Sequence, residues 1–132
     1  MRNLSSLAAL LTLYLGSASA IQNIFLGAIN PPGDELDYSI AWFTDGDPCE
    51  DGTVQGPGFL GPFPSFCAGE WTILGHTGIT FTGCNSGDHY PNGVSDGGAP
   101  ALTCDFIDTP TFQTCSDDTA NPGFLQTQLR CS

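Results

Sequence analysis

Phe124-Leu125-Gln126-Thr127-Gln128-Leu129-Arg130-Cys131 alternates strictly: Leu125, Thr127, Leu129 and Cys131 fall on one face, and Gln126, Gln128 and Arg130 on the other. A period of two residues belongs to a half-buried strand, because successive side chains of an extended backbone point to opposite sides. Shorter β-like runs occupy 23–29, 38–44, 70–74, 78–82, 101–107 and 111–115, separated by Gly, Pro, Asn and Asp. No apolar pattern of period 3.6 is long enough to predict a helix. The expected fold class is therefore all-β, a small disulfide-stapled sandwich or barrel with long Gly/Pro/Asp-rich loops. The two longest connections, 45–65 and 85–100, are expected to hold no central strand. Proline lacks the ladder N–H, and glycine lacks a side chain to pack.

Upstream of the first strand, Arg2 precedes an apolar stretch, 7–15, that ends in Ala18-Ser19-Ala20. A charged start, a short apolar core and an A-x-A site are the marks of a secretory signal peptide. The stretch is far shorter than the ~20 residues that span a bilayer. Residues 1–20 are thus expected to be removed, leaving 21–132 as one extracellular domain.

Removal of Arg2 leaves Arg130 as the sole Lys or Arg against fourteen carboxylates, a net charge of −13. Nucleic-acid backbones and anionic lipids are bound through cations that neutralise them, so neither nucleic acid nor membrane is an expected partner.

All six cysteines, Cys49, Cys67, Cys84, Cys104, Cys115 and Cys131, lie in the exported part, and an even number in an oxidising compartment predicts three disulfides. Their intervals of 17, 16, 19, 10 and 15 residues contain no C-x-x-C, which argues against a zinc knuckle or redox dithiol. Fifteen connectivities are open.

Several residues invite chemistry. Asp45-Gly46-Asp47-Pro48-Cys49-Glu50-Asp51-Gly52 gathers four carboxylates, the oxygen donors that calcium prefers, but lacks the EF-hand register and reads as an acidic turn. His76 and His89 have no metal-ligand spacing and read as surface histidines, and no G-x-S-x-G elbow is present. No catalytic residue, metal or cofactor is predicted. Trp42 and Trp71, flanked by Ile40 and Ile73, read as core, with an aromatic sugar-binding platform that includes Tyr38 and Tyr90 as the alternative. Phe59, Leu60, Phe63 and Phe66 sit in a Gly/Pro-rich loop, as a lid over the sheet or an exposed patch. Phe59, Phe63 and Tyr90 are the candidate partner contacts.

Glu70-Trp71-Thr72-Ile73-Leu74 resembles the strand bearing the catalytic glutamate of small acidic secreted fungal ribonucleases. Those enzymes also use a histidine upstream of this glutamate and an arginine and a histidine downstream, whereas the mature chain has no histidine before His76 and its sole arginine, Arg130, is near the C-terminus. In overall layout, with the phrases Tyr38-Ser39-Ile40-Ala41-Trp42-Phe43-Thr44-Asp45-Gly46-Asp47-Pro48-Cys49 and Gly78-Ile79-Thr80-Phe81-Thr82-Gly83-Cys84, the chain resembles the small secreted cysteine-rich proteins of filamentous fungi. That resemblance implies a secreted, non-enzymatic, effector-like protein that binds a host or extracellular protein, in a host apoplast, with a role in virulence. The alternatives are a cell-wall polysaccharide-binding module, an antimicrobial protein, and a small secreted hydrolase such as a ribonuclease.

Overall fold

The computed structural model describes residues 21–56, 66–84 and 90–132. The expected signal peptide and Phe59, Leu60, Phe63 and His89 lie outside the described residues. Eight antiparallel strands run β1 (Ile24–Asn30), β2 (Tyr38–Phe43), β3 (Thr53–Gln55), β4 (Trp71–Ile73), β5 (His76–Thr82), β6 (Gly93–Asp96), β7 (Ala99–Cys115) and β8 (Gly123–Cys131), with one helical turn, α1 (Pro48–Asp51), between β2 and β3. Their spatial order is β3-β2-β1-β8-β7-β6-β5-β4, which curls into a nearly closed barrel. Side chains link the two end strands: Thr53 Oγ1 donates to the Thr72 carbonyl at 2.6 Å, and Gln55 Nε2 to the Glu70 carbonyl at 3.1 Å.

The barrel encloses Ile24, Leu26, Phe43, Phe66, Trp71, Ile73, Ile79, Phe81, Val94 and Leu129. Phe66 stacks on Trp71 at 5.6 Å, and Phe81 meets both rings edge-on. The Trp71 indole N–H, which would be costly to bury alone, donates to the Phe66 carbonyl at 3.0 Å. A second apolar cluster lies outside the barrel, with Ile29, Ile40, Trp42 and Leu125 packed around the Cys49–Cys115 bridge. Strand β2 serves both: Ala41 and Phe43 face the barrel, while Ile40 and Trp42 face the outer cluster, so its residues are buried from Ser39 onward.

The three disulfides are Cys49–Cys115, Cys67–Cys84 and Cys104–Cys131. The last joins directly opposed residues of β7 and β8.

Three expectations need correction. The face assigned to Leu125, Thr127, Leu129 and Cys131 is divided, because β1 pairs Leu26 with Leu129 but Gly27 with Thr127. The extra residue, Gln128, forms a bulge that turns Leu129 and Cys131 into the barrel and Leu125 into the outer cluster. A Cβ on Gly27 would lie 2.2 Å from the Gln126 carbonyl oxygen, so glycine alone fits this approach.

The runs 101–107 and 111–115 are one strand, β7. Ile107, Asp108, Thr109 and Pro110 bulge outward between the Phe106↔Leu129 and Thr111↔Thr127 pairs, which accommodates the missing proline donor.

The connection 85–100 contains β6, an interior strand between β5 and β7. It pairs despite its Gly and Pro surroundings because Val94 is buried and the Gly97-Gly98 turn has positive φ at both residues, the hairpin geometry that matches strand twist. A register shift between Val94, opposite Leu102, and Ser95, opposite Pro100, leaves Ala101 as the extra residue on β7. The described part of the connection 45–65 contains α1 and β3, an edge strand, so it holds no central strand, as expected.

Candidate functional site

The acidic segment that suggested calcium is occupied by its own backbone. Asp47 caps α1 by accepting from the Cys49 amide at 3.0 Å, and the Asp51 carboxylate accepts from the Asp47 amide. Glu50 reaches across to accept from the Ala120 amide at 2.8 Å, beside Asn121, whose side chain donates to the Pro48 and Gly52 carbonyls. These bonds and the Cys49–Cys115 bridge clamp α1 against the β7–β8 loop. Among the described residues no three His, Cys, Asp or Glu side chains assemble into a metal-binding group.

His76 is paired, not merely exposed: its Nε2 lies 2.9 Å from Asp96 Oδ1, and its ring meets Phe43 edge-on at 6.3 Å. A carboxylate can orient an imidazole as a base, but base chemistry also needs a nucleophile or substrate proton in reach. Glu70 is exposed immediately before β4, and its backbone carbonyl takes part in the side-chain seam with β3.

Trp71 is in the barrel core and Trp42, 3% exposed, in the outer cluster, so no platform of free tryptophans exists. Tyr38 is committed to the β1–β2 turn. The Asp34 carboxylate accepts from the Leu36 amide at 3.0 Å and from the Tyr38 hydroxyl at 2.9 Å. These two bonds hold Asp34 below the ordinary carboxylate range, and the bond to Asp34 raises the Tyr38 phenol.

Two surfaces remain. The first is β7 itself. It has 17 residues and lies inside the sheet order, yet only Cys104 and Cys115 are buried, both through their disulfides. Phe106 and Phe112 on β7 and Phe124 on β8 are 60%, 58% and 51% exposed. Phe112 and Phe124 lie nearly parallel with centroids 5.8 Å apart, and Phe106 meets Tyr90 edge-on at 5.0 Å. Of the expected contacts, Tyr90 thus sits half-buried beside an exposed phenylalanine of β7.

The second surface is a groove of about 470 Å3 on the outer face. Phe25 and Trp42, with centroids 5.7 Å apart, form its floor. Thr44, Gly46 and Pro48 line the side leading into α1, and Ile107, Thr111 and Gln113 the side formed by β7. Thr127 and Arg130 complete it from β8. The Cys49–Cys115 bridge ties the two sides together, and Gln113 Nε2 donates to Cys49 Sγ at 3.4 Å. Neither surface was singled out from sequence. Arg130, as the sole cation on a strand, was the one signal for the groove.

No family model, curated protein or solved structure matches the chain. The functional reading therefore rests on these surfaces, and three disulfides in so small a domain are compatible with an extracellular protein.

Proposed function

We propose that the mature chain is a secreted, effector-like protein that acts by binding an extracellular host protein and not by catalysis. The observation that carries this reading is the uncovered β7. An interior strand is ordinarily buried on at least one face, and exposed phenylalanines on such a strand are the anchors that protein interfaces favour. The bridges at Cys104 and Cys115 anchor β7 near both ends, and among the described residues its phenylalanines are left exposed. The isolated His76–Asp96 pair gives no comparable support to an enzyme, and a net charge of −13 gives none to an antimicrobial that acts through cationic charge.

The test is capture from host apoplastic fluid, comparing the native protein with Phe112→Ser/Phe124→Ser at matched folding. The reading expects a partner retained by the native protein and lost by at least tenfold in the variant. Equal retention by both would remove the β7 face from the account.

A further inference from the structure

We propose that the outer groove binds a sugar acid, a hydroxyl-rich ligand with a single carboxylate, which Arg130 anchors. Charge gives the first argument. The chain carries fourteen Asp and Glu residues, yet none of the groove's lining residues is acidic, and they include the only Lys or Arg of the mature chain. Arg130 takes part in no ion pair among the described residues. Across the sheet it stands between Phe25 of β1 and Asp105 of β7, its neighbours in register. A guanidinium presents a planar fork that matches a carboxylate.

The remaining lining selects what the carboxylate is attached to. Phe25 offers an apolar surface for the C–H face of a sugar ring, while the Thr44 and Thr111 hydroxyls both donate and accept. Gln113 gives one of its two amide N–H groups to Cys49 Sγ, which fixes the side chain and leaves its carbonyl to accept from a ligand hydroxyl. The volume lies in the range of small-ligand sites, roughly 300–1,000 Å3.

Charge also limits the ligand to a monoanion. Asp105 and Asp108 line the adjoining hollow that shares Arg130, and Asp45 and Asp47 flank Gly46 at the other end. One cation among these carboxylates balances one negative charge, and a polyanion meets net repulsion within the Debye length of ~8 Å.

The groove and the Phe112–Phe124 pair occupy opposite faces of the β7–β8 pair, since Thr111 and Gln113 alternate with Phe112 along the strand. The inference thus stands apart from the protein-docking reading. The experiment is an amide and side-chain NMR titration of the mature, disulfide-intact protein with D-galacturonate and D-glucuronate, beside D-glucose, acetate and inorganic phosphate. Saturable shifts are expected at the Arg130 Nε–H, the Gln113 amide and the Trp42 indole for at least one uronate, with affinity at least tenfold above the three controls. Arg130→Gln should weaken that uronate about tenfold, Thr111→Val should weaken it independently, and Phe112→Ser/Phe124→Ser should leave it unchanged. Glucose, acetate or phosphate binding as well as both uronates would overturn the proposal. So would a folded Arg130→Gln protein with undiminished affinity.

Discussion

At Leu74 the backbone takes φ 47°, in the left-handed region, because Leu74 and Gly75 form a two-residue hairpin turn between β4 and β5 in which both residues have positive φ. A leucine there costs about 1–2 kcal/mol in steric strain, and its side chain is 60% exposed, so packing does not recover that cost. Leu74→Asn should raise stability by about 1 kcal/mol in urea unfolding. Ser39 carries a different local cost: its hydroxyl is buried without a hydrogen-bond partner. Ser39→Ala should leave stability unchanged or raise it by up to about 1 kcal/mol. The Asp34 clamp predicts a pH dependence. Its lowered carboxyl favours the folded state fully above the ordinary carboxylate pKa, and the benefit is lost as pH falls through Asp34's lower folded value. The raised Tyr38 phenol contributes below its ordinary value and loses that contribution as pH rises through its folded value. The melting temperature of Asp34→Asn should thus trail the native protein at pH 7, and the gap should close at strongly acidic pH.

Among the elements, the Gln128 bulge governs how β8 divides its residues between two cores, and Gly27 makes room for it. Gly27→Ala should cost about 1–3 kcal/mol, measured by thermal unfolding, because the new methyl meets a backbone carbonyl that cannot turn aside. Strands β1, β2, β4, β5 and β8 were legible in the sequence from their apolar runs and bounding turns. The bulge was not: buried residues continue at every second position across Gln128, because the bulge exchanges the buried face of β8 from the outer one at Leu125 to the barrel one at Leu129. Strands β3 and β6, with three and four residues, were hidden for another reason. Their pairing depends on neighbours distant in sequence, and the Gly and Pro around them dominate any local reading. The groove was illegible as a unit because its lining comes from β1, β2, α1, β7 and β8, which only folding brings together. The loop phenylalanines Phe59 and Phe63 drew attention as candidate contacts. Phe106, Phe112 and Phe124, which the structure exposes, had looked like ordinary strand residues.

On the scale of the whole molecule, the cross-links differ in reach. Cys49–Cys115 spans 66 residues, against 17 for Cys67–Cys84 and 27 for Cys104–Cys131. If closing longer loops restricts the unfolded chain more, replacing the Cys49–Cys115 pair with alanines should cost about 4 kcal/mol and the Cys67–Cys84 pair about 3. Loss of the first should also loosen the groove, whose sides it joins, and leave the barrel aromatics in place. Stapled in this way, the domain keeps the β7 phenylalanines exposed, and the proposed binding function depends on that exposure. The most direct measurement of the proposed function is the dose–response of host tissue to the disulfide-intact protein and four variants, with melting temperatures taken on the same samples. Phe112→Ser/Phe124→Ser should lose at least tenfold in potency while remaining folded, and Glu70→Ala, His76→Ala and His89→Ala should match the native protein. A fully potent phenylalanine variant, beside a folded but inactive Glu70→Ala or His76→Ala, would contradict the account and point to an enzyme.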